Sequence, residues 1–220
     1  MIIYFISGFI LIILLLVGPK VARMVIGFSW SRMCSLITPM FVTVTGRENI
    51  EKRRSYVIIS NHQSHYDIFV LHGWLLVDII WVMKKELRKI PIFGYICEKT
   101  EQIYIDRSNR EAAKASLEEA KKRIVDGTSV IFFAEGTRSK TGRLGEFKKG
   151  AFRMALDLNI PILPVTIINT EKILPAKTFR LFPGRAKMII HKPIEISNYS
   201  HDTIEDLTSD IKNIIQRNLD

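Results

Sequence analysis

The chain predicts an α/β fold: a mixed, largely parallel sheet flanked by helices, preceded by an N-terminal membrane-embedded helical hairpin. Three observations carry this. After Thr45-Gly46, short runs rich in Val, Ile and Phe alternate with amphipathic stretches, the pattern of strands covered by helices. The residues before that point are mostly apolar. The length, 220 residues, suffices for one sizeable core and falls short of two. The expected division is a membrane-associated helical segment at 1–40 and an α/β domain at 41–220.

The hairpin rests on two apolar segments. Residues 2–17 carry no charge and end at Gly18-Pro19. As a helix at about 1.5 Å per residue they approach the ~30 Å hydrocarbon thickness without reaching it. There is no basic stretch before this run and no small-residue cleavage site after it, so a secretory signal fits poorly. Lys20, Arg23 and Arg32 follow it and place the remaining chain on the cytoplasmic side, with a bacterial cytoplasmic membrane as the expected location. A second apolar stretch, 24–44, contains Ser29, Ser31, Arg32, Ser35 and Pro39 and reads as an interfacial helix. Pro19 between the segments suggests a hairpin dipping into one leaflet, with a full span by the first segment as the alternative.

Strands are expected at 41–45, 56–60, 79–83, 102–105, 129–134, 162–168 and 186–191, each short, β-branched or aromatic, and bounded by turn or charged residues. Ser108 with Glu111 three residues later forms a capping box opening a helix whose apolar stripe is Ala113, Leu117, Ala120 and Ile124, closed by Gly127. Further helices are expected at about 148–158 and from about 202, the last with Ile204, Leu207, Ile211, Ile214 and Ile215 on one side.

Composition narrows the partners. An apolar content of 47% excludes a disordered chain. The mean hydropathy of +0.13 is high for a purely soluble domain. A net charge of +10 calls for an acidic partner: nucleic acid, anionic lipid, a phosphorylated substrate or an acidic protein. No nucleic-acid motif and no interleaving of aromatic with basic residues is visible. Cys34 and Cys97 match no metal or redox spacing and suit a reducing compartment.

Residues 60–67, Ser-Asn-His-Gln-Ser-His-Tyr-Asp, end the second expected strand, and α/β sheets place ligands beyond strand carboxyl ends. On a continuous helix, His62 and Asp67 would point about 140° apart at ~100° per residue. They can meet only if His62 stays outside a helix that Ser64 caps, with Asp67 in its first turn. Asp67 would then hold the Nδ1 proton and leave Nε2 as a base. The plain alternative is that Ser64-x-x-Asp67 only caps the helix. A metal set from His62, His65 and Asp67 lacks a completing carboxylate or cysteine cluster. A metal-dependent hydrolase is therefore the weaker enzymatic reading, and no metal is expected.

Three more groups follow expected strands: Lys84-Lys85-Glu86-Leu87, Tyr104-Ile105-Asp106-Arg107 and Phe133-Ala134-Glu135-Gly136-Thr137-Arg138-Ser139. Each basic group alone reads as a solvated face. Together they read as one cleft holding a base and a phosphate-binding wall, with Arg138 able to grip a phosphate bidentately.

In order and rough spacing, four stretches resemble the motifs of the 1-acyl-sn-glycerol-3-phosphate acyltransferases, the glycerolipid acyltransferases with an H-x4-D motif. They are Asn61–Asp67, Tyr104–Arg107, Phe133–Ser139 and Ile160-Pro161-Ile162-Leu163-Pro164-Val165; Lys84–Leu87 with Pro91 and Gly94 fits the stretch between the first two. The resemblance covers about residues 55–165 and implies acyl transfer from acyl-carrier protein or acyl-CoA to the 2-hydroxyl of lysophosphatidate, giving phosphatidate in phospholipid biosynthesis. Another lyso-lipid acceptor is the alternative. It implies His62 as general base, Asp67 as its orienter, and Arg107, Glu135, Gly136, Thr137 and Arg138 in acceptor binding, with Lys84 or Lys85 as a phosphate contact. No cofactor is implied beyond the thioester co-substrate. The implied partners are a membrane lipid substrate, the membrane surface and the thioester carrier.

Overall fold

The computed structural model describes residues 18–106, 108–139, 143–176 and 178–219. The uncharged run at 2–17 and Arg107 lie outside the described residues. Seven strands, β1 (Met40–Thr45), β2 (Val57–Ser60), β3 (Asp78–Lys84), β4 (Ile103–Ile105), β5 (Thr128–Phe133), β6 (Ile162–Ile168) and β7 (Gly184–Ile190), form one sheet in the order β1-β7-β6-β2-β5-β3-β4. Each matches an expected strand to within two residues. β6, β2, β5, β3 and β4 run parallel. β7 is antiparallel to β6, and β1 is parallel to β7. The carboxyl ends of the five parallel strands and the amino ends of β1 and β7 therefore share one rim of the sheet.

Among the described residues the α-helices are α1 (Pro19–Ile37), α2 (Tyr66–Trp74), α3 (Phe93–Lys99), α4 (Arg110–Lys121), α5 (Gly150–Leu158), α6 (Thr170–Ile173) and α7 (Ile204–Gln216). Both sheet faces are covered, because successive strand side chains point to opposite sides. Val57 and Ile59 of β2 join one core with Phe152 and Met154 of α5 and Leu207, Ile211 and Ile215 of α7. Ile58 joins the other with Val70, Leu71 and Trp74 of α2. All four β2 residues are buried, as a central parallel strand requires. The cap of α4 is Asn109, whose side chain accepts from the N–H groups of Glu111 and Ala112, and not the expected Ser108, which bonds Asp106 instead.

The expected hairpin is not supported. Among the described residues no helix is long and apolar enough to cross a membrane. Its first arm lies outside the described residues. Its second arm is split: α1 stops at Ile37, and Met40 begins strand β1, because Pro39 cannot continue a helix. α1 packs against the protein. Arg23, 5% exposed, forks onto Asp78 (Nε to Oδ1 2.9 Å, Nη2 to Oδ2 2.7 Å) and donates to the Thr100 carbonyl at 3.0 Å. Thr128 donates a further bond to Asp78 at 2.8 Å. At Gly27 an added Cβ would stand 2.4 Å from Nδ1 of His72, so α1 meets α2 through a glycine. The outer side of α1 exposes Met24, Phe28, Trp30, Leu36 and Ile37.

Candidate active site

The site grows out of the end of β2. Ser60 is the last strand residue, and there the Asn61 side chain takes over the ladder: Nδ2 donates to the Ile167 carbonyl at 2.7 Å and Oδ1 accepts the Ile167 N–H at 2.8 Å. A primary amide has the donor and acceptor of a peptide group, so the backbone is free to leave the sheet while β6 stays paired. The next residues form a loop, and α2 begins at Tyr66.

Asp67 holds that loop. Its fully buried carboxylate accepts Nδ1 of His62 (2.8 Å), the N–H of Gln63 (2.7 Å) and the N–H of Ser64 (2.9 Å) on Oδ2. Oδ1 accepts the hydroxyl of Thr170. With Asp67 an ionised acceptor, the Nδ1–H tautomer of His62 follows and Nε2 keeps its lone pair. The two sequence readings merge: Asp67 satisfies N–H groups ahead of the helix and orients the imidazole with the same oxygen. Ser64 is not the N-cap. The helix starts one residue later than that role requires, and the Ser64 hydroxyl accepts the Tyr66 N–H (3.2 Å) and donates to the Leu174 carbonyl (2.8 Å).

The end of β5 supplies the rest of the frame. The Phe133 ring stacks on the His62 imidazole, centroids 3.7 Å apart and planes 8° from parallel. The Glu135 carboxylate bridges two backbone amides, His62 N–H on Oε1 (3.0 Å) and Gly145 N–H on Oε2 (2.9 Å). The His62 carbonyl accepts the Ser139 N–H at 2.8 Å. The imidazole is thus fixed in position on a mostly buried side chain, 13% exposed. Among the described residues, Nε2 has no hydrogen-bond partner in the structure's bonding pattern.

Of the other expected site residues, Gly136 turns the chain at φ +73°, a conformation that favours glycine. Its N–H is taken by the Phe133 carbonyl (2.9 Å), and those of Gln63 and Ser64 by Asp67. Thr137 is exposed and Arg138 half-buried beside it. His65 is held below its ordinary pKa by burial first and then by the positive charge of Arg138, with Asp67 opposing. Lys84 and Lys85 are exposed on the same rim, 3.4 Å from Glu86 and 3.5 Å from Asp106 respectively. Their ion pairs are solvated and open to exchange for a stronger anion. Among the described residues no three His, Cys, Asp or Glu side chains converge to hold a metal ion.

Phe133, Asn61 and Thr170 are functional neighbours that the sequence reasoning missed as such. The signal for Thr170 was present: it lies two residues past β6, another carboxyl end on the same rim.

Comparison with known proteins agrees with this geometry. Residues 41–168 match the family model described as Acyltransferase. A 1-acyl-sn-glycerol-3-phosphate acyltransferase of Limnanthes douglasii is 36% identical over 179 residues, covering 81% of this chain and 63% of its own length. One from Helicobacter pylori is 33% identical, covering 72% of this chain and 68% of its own. The crystal structure of the 1-acyl-sn-glycerophosphate acyltransferase PlsC from Thermotoga maritima superposes with a TM-score of 0.83 at 28% identity, over 97% of this chain and 87% of that one. The chain spans less than two thirds of the plant relative's length.

Proposed function

The chain belongs to the acyltransferase family, and from that premise we propose that it transfers an acyl group from a thioester, acyl-carrier protein or acyl-CoA, to the 2-hydroxyl of 1-acyl-sn-glycerol 3-phosphate, giving phosphatidate. The observation that carries this reading is the His62–Asp67 pair at 2.8 Å, with Nε2 facing away from its orienting carboxylate. The names of the relatives supply the substrate class.

In this mechanism Nε2 of His62 takes the proton of the acceptor hydroxyl as its oxygen attacks the thioester carbonyl. An alcohol is a weak nucleophile at neutral pH, and a base in hydrogen-bond reach contributes about 10²–10⁴ in rate. Asp67 stabilises the imidazolium so formed. The tetrahedral adduct collapses, the C–S bond breaks, and the departing thiolate takes the proton back from Nε2. A thioester is already activated, so the step needs no covalent enzyme intermediate and no cofactor. Lys84, Lys85, Thr137 and Arg138 hold the acceptor phosphate on the rim, and Arg107 joins them as a further acceptor contact on the strength of the motif alone. Glu135 serves from behind, fixing the backbone that carries His62.

A lysolipid acceptor stays in its bilayer, and the reading places the catalytic rim against it from the cytoplasmic side. Support comes from what the rim exposes. At one end stand Leu36, Ile37, Phe41, Leu181 and Phe182, joined because Gly184 donates to the Pro39 carbonyl (3.0 Å) and Phe41 pairs with Arg185. At the other, beyond β3, stand Ile90, Ile92 and Phe93. Exposed Arg180, Arg185 and Lys89 lie among them and suit anionic headgroups.

The test is acyl transfer by the purified full chain, pairing lysophosphatidate, lysophosphatidylglycerol and lysophosphatidylcholine with acyl-CoA and acyl-carrier protein. Phosphatidate formation with release of one thiol per acyl group is expected. Absence of phosphatidate with both donors overturns the reading, and a product only from a headgroup-bearing lysolipid reassigns the acceptor.

A further inference from the structure

We propose that Thr170 is a positioning residue of the acyl-transfer reaction, acting through Asp67 on His62, and that the single turn α6 is the clamp that holds the catalytic loop. The inference rests on the reading of His62 as base.

Asp67 has no contact with solvent. Three donors converge on Oδ2, and Oδ1 receives the Thr170 hydroxyl. Thr170 is itself fully buried and stands 103 residues away in sequence. A buried carboxylate oxygen left without a donor is costly, so the hydroxyl decides how the carboxylate lies. With Oδ1 tied to α6, Oδ2 is aimed at Nδ1 of His62. Untied, the carboxylate is held through Oδ2 alone and can tilt about that oxygen, because its terminal torsion has no sharp minimum of its own.

A second bond joins the same two segments. The Ser64 hydroxyl donates to the carbonyl of Leu174, the residue that closes α6. α6 is seated in turn: Ile173 is fully buried, and its carbonyl accepts the Phe182 N–H at 2.9 Å. The loop carrying His62 is therefore gripped at Ser64 and at Asp67 by one rigid turn that contributes no group to the chemistry. Asn169, in the left-handed conformation at φ +69°, sets the abrupt turn from β6 into α6.

The hydroxyl also adjusts the base. A hydrogen bond to the charged form of a carboxylate lowers its proton affinity. Removing it concentrates the charge facing His62, so the His62–Asp67 pair holds its proton more tightly. The acid limb of the rate profile then moves to higher pH.

The experiment compares Thr170→Val, which keeps shape and loses the hydroxyl, with Thr170→Ser, which restores it. In Thr170→Val kcat should fall at least tenfold, the acceptor KM should stay within twofold, and the acid limb of kcat/KM should move to higher pH. Thr170→Ser should return all three to within twofold of the parent. Should Thr170→Val fail to fold, Thr170→Ala is read by the same measures. A parental kcat and pH limb in the Val variant overturns the proposal. So does a lower kcat with an unmoved limb, which is the mark of a purely structural role. His62→Ala is run beside them: full activity there overturns the base reading and this inference with it, while an inactive His62→Ala beside a normal Thr170→Val overturns this inference alone.

Discussion

The imidazole of His62 lies flat on the ring of Phe133, 3.7 Å between centroids and 8° between planes. The stack fixes the one rotation that the bond to Asp67 leaves free, swinging of the ring plane about the Nδ1–Oδ2 direction. Aromatic pairs contribute about 0.5–1.5 kcal/mol beyond burial. Phe133→Leu should therefore lower kcat by up to about tenfold with little change in acceptor KM, measured as thiol release at saturating acceptor. An unchanged kcat would mean that Asp67 alone orients the ring.

Asp67→Asn should be far worse. An amide in that place can present its NH₂ to Nδ1 and favour the wrong tautomer, with the proton on Nε2. A loss of about 10²–10⁴ in kcat is expected, the share a positioned base contributes. Circular dichroism should stay near the parent if the loss is chemical.

Arg138→Gln should act on binding. Its charge reaches His65 on the rim, close to the proposed phosphate seat. Acceptor KM should rise about tenfold, the worth of one charge-assisted contact, with kcat kept within threefold. The His65 pKa should also rise, because one of the charges depressing it is gone; NMR titration of the imidazole reads this directly.

His72 gives a pH signature of stability. Burial pushes its pKa down to about 4 from 6.5, against the opposing charge of Asp78. The Trp81 indole donates to its Nε2, which needs the neutral ring. Between these values the unfolded chain binds more protons than the folded one, so stability falls as pH drops from 6.5 toward 4. The slope is at most about 1.4 kcal/mol per pH unit, tempered because His72 as a residue is only partly buried. His191, also lowered by burial, adds a slope of the same sign. His72→Gln keeps an acceptor for Trp81 and should flatten the fall in melting temperature over that range; an equal slope would assign the effect elsewhere.

Arg23→Leu should cost about 3–5 kcal/mol, because Asp78 would be left as a buried charge without its cation. Pairing it with Asp78→Leu should recover most of the loss. Thermal or denaturant unfolding of the single and double variants checks this, and additive losses would refute the coupling.

The strands were legible because each is a short β-branched run cut off by charged or turn residues. Ile162–Ile168 was placed to the residue, and β2 and β5 to within one. The reversal of β7 was not legible, since direction depends on which neighbour a strand finds and no local residue encodes it. The H-x4-D geometry was legible from spacing, which demands that His62 stay outside the helix. Glu135 was expected among acceptor contacts, but its tie to the His62 amide is a long-range bond that no local pattern announces. The single interfacial helix read over residues 24–44 instead divides into α1 and β1. An apolar helix face reads alike whether lipid or protein covers it, and only the match of Arg23 with Asp78, far along the chain, tells them apart.

The place of β1 at the sheet's edge sets an order of events during synthesis. Among the described residues its one strand neighbour is β7, with Met40 beside Gly184. Emerging from the ribosome, β1 has no neighbour to join until most of the chain has followed it. α1, just before it, finds Asp78 and α2 much sooner. The first strand out is therefore the last to be paired, and for that interval its backbone is open to unwanted partners. Slow growth of the chain past residue 184, or its loss, should leave a nascent protein with one sticky edge and a core still short of β7 and of Leu207, Ile211 and Ile215 of α7, the state on which chaperones act.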